Sequence, residues 1–105
     1  MDKVPVQIVN TLLLLKKSLN EKFTVKKVIL FGSFAKGNYR DNSDIDVCVV
    51  IEKNDNNYLS MLQIAPIAAE IDTRIEAVVF SDEEYFAEQS FGILNDIKTS
   101  GIAID

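Results

Sequence analysis

The sequence predicts an α/β (α+β) domain: a small mixed β-sheet of three to four strands with helices packed mainly on one face. Stretches with apolar residues at helical spacing alternate with short runs rich in Val and Ile, the pattern of helices interleaved with strands. No Pro/Gly/Ser-rich linker, repeat or low-complexity stretch interrupts the 105 residues, so 1–105 reads as one domain. Hydrophobic residues make up 48% and charged residues 26%, a globular balance that can enclose a modest core.

Val4 to Glu21 reads as the first helix, because Ile8, Val9, Leu12, Leu15 and Leu19 recur on one side and Pro5 is tolerated in a first turn. Val25 to Phe31 is a strand that starts charged at Lys26-Lys27 and then enters the core. Gly32-Ser33 ends it. A short helix over Ser33 to Lys36 stops near Gly37, and Asn38 to Ser43 is a polar loop in which Asp41 is a turn residue. Asp44 to Ile51 is the second strand, followed by a surface loop at Asn54-Asp55-Asn56-Asn57. Tyr58 to Ile71 is helical with a kink expected at Pro66, and Arg74 to Phe80 is the third strand. Ser81 caps a new helix with Asp82 and Glu83 in its first turn and Glu84 at the reciprocal position of a capping box. Ser90 to Ser100 is a further helix closed by Gly101, and Ile102 to Ile104 adds a short edge strand.

Lys plus Arg is 11 and Asp plus Glu is 16, a formal charge of −5. Such a surface has no broad attraction for phosphate backbones, which disfavours polynucleotide binding, but it suits cations. Two Mg²⁺ ions would bring the charge from −5 to −1. The absence of histidine removes His-based triads, His general bases and most zinc sites. The lone Cys48 lies in a predicted strand and reads as a small hydrophobe, so no disulfide framework is expected. The N-terminus shows no leader pattern, and the Leu12–Leu15 run is far shorter than a membrane span of about 20 residues. A cytoplasmic protein with no membrane partner is therefore expected. The leucine run reads mainly as core, yet it covers more than one helix face, which leaves room for a homo-oligomer or partner contact. Tyr85, Phe86 and Phe91 read as core or partner interface.

One stretch names a chemistry. Gly32-Ser33 is followed by ten residues and then Asp44-Ile45-Asp46, where the chain runs into an apolar strand. Side chains alternate along a strand, so Asp44 and Asp46 share a face with α-carbons roughly 6.5–7 Å apart. Ile45, Val47 and Val49 then face the helix layer. Glu76, a lone acid in the third strand, is the expected third carboxylate. Asp72 is a competing candidate at even spacing, and an edge-strand pairing of Glu76 with Arg74 is the bland alternative. Three carboxylates can hold two Mg²⁺ about 3.5–4 Å apart for an in-line displacement at phosphorus. Gly32 lets backbone approach a phosphate, the Ser33 hydroxyl can hold it, and Lys36 and Arg40 can neutralise it.

The Gly-Ser-x10-Asp-x-Asp pattern, preceded by Val28-Ile29-Leu30-Phe31, resembles the nucleotidyltransferase superfamily related to DNA polymerase beta. At this length the chain looks like its minimal nucleotidyltransferase (MNT) subgroup, of antitoxin type. Ser33-Phe34-Ala35-Lys36-Gly37, Ser43-Asp44-Ile45-Asp46, Arg74-Ile75-Glu76 and Ile97-Lys98-Thr99-Ser100-Gly101-Ile102 carry the likeness. The resemblance implies a nucleotidyltransferase-like fold, with Asp44 and Asp46 as ligands of two Mg²⁺ and Glu76 as third ligand or base. It also implies Gly32 and Ser33 holding the phosphates of ATP or another NTP. Many members have Asp where this chain has Glu76. Minimal members often act beside a helical HEPN-type protein as the antitoxin of a toxin–antitoxin pair, and some transfer AMP to that partner's tyrosine. The expected activity is thus Mg²⁺-dependent transfer of a nucleoside monophosphate to a hydroxyl. The alternatives are a non-catalytic antitoxin acting by contact, and a transferase for a small molecule.

Overall fold

The computed structural model describes residues 4–54 and 56–104. Its elements are α1 (Val6–Leu19), β1 (Val25–Phe31), α2 (Ser33–Lys36), β2 (Ile45–Ile51), α3 (Asn57–Ile71), β3 (Ile75–Ser81), α4 (Asp82–Tyr85), α5 (Gly92–Ser100) and β4 (Ile102–Ile104). Asp55, within the expected surface loop, lies outside the described residues.

The four strands form one mixed sheet in the order β3-β2-β1-β4. β1 runs antiparallel to both β2 and β4, and β2 runs parallel to β3, with α3 making the crossover. Alternation along the strands divides the apolar residues between two layers. Val28, Leu30, Ile45, Val47, Val49 and Ile51 join Leu12, Leu15 and Leu19 of α1 and Ile64 and Ala68 of α3 in the larger core. Ile29, Phe31, Cys48 and Val50 face the other way and meet Ile97 of α5 in a smaller cluster, with Val78, Phe80 and Tyr85 at its edge. The helices thus lie mainly on one face, as expected, and α5 covers part of the other.

Element ends differ from expectation where local hydrogen bonds take over. α1 begins after Pro5, which occupies its N-cap position with ψ 141°. It ends at Leu19, because the Asn20 side chain accepts from the Val25 N–H (3.2 Å) and the amides of Glu21, Lys22 and Phe23 turn back onto Ser18 and Leu19. α3 starts at Asn57: the Asn56 side chain caps it by accepting from the Leu59 N–H at 3.1 Å. The helix then runs through Pro66 to Ile71, so the expected kink does not interrupt it. β3 extends to Ser81, whose side chain and that of Glu84 form the expected capping box. α5 starts at Gly92, two residues later than expected.

In the leucine run, Leu12 and Leu15 are fully buried, Leu13 packs at the core's edge and Leu14 is half exposed. Tyr85 reaches the smaller core, whereas Phe86 and Phe91 are exposed. Among the described residues no helix is long and apolar enough to cross a membrane.

Candidate active site

β1 delivers the chain to the site. Its last residue, Phe31, pairs with Asp46 of β2, and the backbone then turns sharply at Gly32 with φ 72° and ψ −151°. That conformation belongs essentially to glycine. Space makes the same demand. A Cβ placed on Gly32 would overlap Oδ2 of Asp46 and stand 3.1 Å from its Cγ, so the Asp46 carboxylate lies directly against the turn. Ser33 follows as the first residue of α2, half-buried, and Gly37 ends that helix in the left-handed region at φ 83°.

The acids gather beside this turn. Asp46 pairs in register with Glu76 on the parallel strand β3. Asp44 stands two residues ahead of Asp46, just before β2 begins at Ile45. Asp46 is half-buried, while Asp44 and Glu76 are exposed. Burial, then the charge of Glu76, then that of Asp44 push the Asp46 carboxyl above the usual carboxylate range. Asp46 therefore feels the charge of both neighbouring acids. Asp44 and Asp46 have the parity of Cys48 and Val50, opposite to Ile45, Val47 and Val49 in the large core, as expected.

Among the described residues, no three acidic or thiol side chains already converge as a closed metal cage would require. The donor set still suits Mg²⁺. It consists of hard carboxylate oxygens carrying mutually repelling charge, and Mg²⁺ typically takes one or two protein carboxylates together with substrate phosphates. Asp46 and the exposed Asp44 and Glu76 are the residues that would hold such a cation.

A family profile described as a nucleotidyltransferase domain matches residues 12–102 of this chain. The chain belongs to the nucleotidyltransferase domain family. A Methanocaldococcus jannaschii protein named as a proposed protein adenylyltransferase is 47% identical over 45 residues, 43% of this chain and 43% of that relative. Protein adenylyltransferase MntA of Thermococcus cleftensis is 40% identical over 38 residues, 36% of this chain and 38% of its own length. The matches thus span under half the length of these curated relatives. The crystal structure of a proposed nucleotidyltransferase from Sulfolobus solfataricus superposes with a TM-score of 0.69 at 20% identity, covering 93% of this chain and 79% of that one. At that identity the likeness establishes the fold.

In this nucleotidyltransferase domain the other sequence candidates fall in different places. Asp72 terminates α3 and is taken up by Arg74. The Arg74 backbone N–H and Nε donate to Asp72 Oδ1 at 2.9 and 3.1 Å, and Nη2 donates to Oδ2 at 2.9 Å. These bonds hold the Asp72 carboxyl below its ordinary range. The bland alternative for Glu76 is thereby corrected: Arg74 pairs with Asp72, and Glu76 has no ion-pair partner among the described residues. Lys36 is exposed at the end of α2. Arg40 borders a hollow of about 200 Å³ on the α1 side, lined also by Phe34, Tyr39, Asp41 and Arg74 but by none of Ser33, Asp44, Asp46 or Glu76.

Three supporting contacts escaped sequence reasoning. The Ser43 hydroxyl accepts from the Arg40 N–H at 2.7 Å and folds the loop just before Asp44. Tyr39 stacks on Phe34 with ring centroids 4.5 Å apart, fixing the start of that loop against α2. Arg74 donates to the Asp41 carbonyl. The Ser43 contact was foreseeable, since Ser in a polar loop commonly bonds nearby backbone. The other two depend on how the loop lies against the sheet.

Proposed function

We propose that this domain is a divalent-metal-dependent nucleotidyltransferase that moves the AMP of ATP onto a hydroxyl acceptor. The observation that carries the reading is the pairing of Asp46 with Glu76 on adjoining strands, beside Asp44 and against the Gly32 turn. Ser33 donates its hydroxyl to the triphosphate, and the backbone at Gly32 lets those phosphates approach the end of the sheet. Asp44, Asp46 and Glu76 offer the oxygens that hold two Mg²⁺ ions, whose chemistry would be to neutralise the phosphates and the departing pyrophosphate. The acceptor oxygen attacks the α-phosphorus as the bond to pyrophosphate breaks. Glu76, at the exposed margin of the trio, is third ligand or receives the acceptor's proton. Catalysis of this kind rests on positioning and charge stabilisation.

The favoured acceptor is a tyrosine of a helical HEPN-type partner, with this chain as the antitoxin of a toxin–antitoxin pair in the cytoplasm. The names of the curated relatives, which speak of protein adenylyltransferases, support a protein acceptor. The formal charge of −5 argues against a polynucleotide.

The test is labelling of the suspected partner with α-³²P ATP, with and without Mg²⁺, by the wild type and by Asp44→Asn/Asp46→Asn. Metal-dependent label that disappears in the variant is expected. Neutralisation of the toxin by the variant, with no label from either protein, would instead establish a contact-only binding module.

A further inference from the structure

The acids of the site stand on two separate strands, and something must hold those strands level at their open ends. β2 and β3 both begin there, each preceded by irregular backbone. Arg74 spans the gap just ahead of the β2–β3 ladder, which starts at Ile45 and Ile75. The Arg74 carbonyl accepts the Ile45 N–H at 2.8 Å, the amide between Asp44 and Asp46. The Arg74 guanidinium donates through Nη1 to the Asp41 carbonyl at 3.3 Å, three residues ahead of Asp44. Its remaining donors grip Asp72 at both carboxylate oxygens, so the fork is anchored at the foot of α3. Arg74 stands just before β3, and Glu76 follows two residues later, inside it. The guanidinium is planar and fixed by Asp72, which lets one side chain set the direction of the bond to the loop.

We infer that Arg74, oriented by Asp72, is a positioning residue that clamps the loop 41–45 to the start of β3 and so holds Asp44 and Asp46 level with Glu76. The inference rests on the proposed function, because only a cation shared by the two strands makes their level matter. The same clamp keeps Asp72 out of the acidic trio, leaving the site its own three carboxylates. Outer partners that orient ligands commonly change metal affinity by about 10–100-fold when removed. For Arg74, which touches no ligand side chain, the lower end is expected.

The experiment measures Mn²⁺ binding to the nucleotide-free protein by electron paramagnetic resonance, together with hydrogen exchange of the Ile45 amide and the thermal midpoint. The variants are Arg74→Ala, Arg74→Lys and Asp72→Asn. Arg74→Ala is expected to weaken Mn²⁺ binding about tenfold and to speed exchange at Ile45. Arg74→Lys, which keeps the charge but lacks the fork, and Asp72→Asn, which releases the fork, should each fall between Ala and wild type. Should Arg74→Ala fail to fold, these two variants carry the test. A lower thermal midpoint with unchanged Mn²⁺ affinity in the folded variants would show a merely structural ion pair and overturn the inference. In that case Asp44→Asn/Asp46→Asn would still abolish binding, and the proposed function would stand. If the wild type binds Mn²⁺ no better than Asp44→Asn/Asp46→Asn does, the proposed function falls and takes the inference with it.

Discussion

Gly32→Ala is the sharpest perturbation of the turn on which the site rests. Two costs can be separated. Gly32 sits at φ 72° and ψ −151°, and holding an L-residue there costs about 1–3 kcal/mol. The new methyl also overlaps Oδ2 of Asp46 and stands 3.1 Å from its Cγ and 3.2 Å from its Cβ. Forcing a group into filled space typically costs a further 1–3 kcal/mol. Lower entropy of the unfolded chain returns about 0.4–1 kcal/mol. The net expectation is a loss of about 1–5.5 kcal/mol, centred near 3, a large share of a small domain's stability. Urea unfolding followed by circular dichroism reads this directly, and the thermal midpoint should fall by roughly 4–8 °C for each kcal/mol lost.

A double-mutant cycle assigns the two parts. Asp46→Ala removes Oδ2 and Cγ but leaves the backbone angle of Gly32 untouched. In that background Gly32→Ala should cost about 1–2 kcal/mol less, a coupling well above the scatter of independent sites. A cost below about 0.5 kcal/mol for Gly32→Ala would refute the strained turn. An identical cost with and without the Asp46 carboxylate would refute its placement against Gly32, and with it the meeting of the Gly32 turn and the acids.

Two further outcomes follow from the titrating groups. Burial pushes the Cys48 thiol up to about 12, so at pH 8 a disulfide reagent should not modify the folded protein within the time that it modifies the urea-unfolded chain; rapid reaction of folded protein would contradict the sealed smaller core. The Asp72 carboxyl is held below its ordinary value by Arg74, so its contribution to stability is fully present above an unfolded value of about 3.9 and is lost as pH falls through the lower folded value. The stability gap between wild type and Asp72→Asn, measured by urea unfolding, should be constant from pH 7 to pH 5 and close below pH 4; a gap that persists at pH 2 would contradict the Arg74 pairing.

The parts legible in the sequence are those decided by neighbours in the chain. The apolar period of α1, the strand alternation of Asp44 to Val50, the stop at Gly37 and the Ser81–Glu84 capping box all involve residues within a few positions of one another. Glu76 is legible as an acid in an otherwise apolar strand, with Asp72 as its competitor; that it pairs with Asp46 is set by the register of β2 and β3. What stayed hidden depends on loops. Asn54, Asn56 and Asn57 each carry cap chemistry, and only the fold shows that Asn56 accepts from Leu59. Alternation put Arg74 and Glu76 on one face, which made their pairing plausible. The turn out of α3 instead brings the Asp72 carboxylate onto both the Arg74 backbone and its guanidinium. The hollow beside Arg40 likewise depends on how loop 38–43 lies against α1.

That choice by Arg74 bears on the charge gathered around Asp46. Asp72 and Glu76 compete for the one arginine at this edge, and the geometry awards it to Asp72, where three hydrogen bonds form at once. Glu76 is left without an ion-pair partner among the described residues beside Asp46, whose own carboxyl is disfavoured in its charged form by burial and by both neighbours. Had Arg74 turned to Glu76, the trio would be partly neutralised and its attraction for a divalent cation reduced. Like charges on adjoining strands work against folding, and a cation bound between them reverses the sign of that term. If the domain works as proposed above, the free energy lost to this repulsion would be recovered on binding a cation, at the place where charge would be stabilised during nucleotidyl transfer.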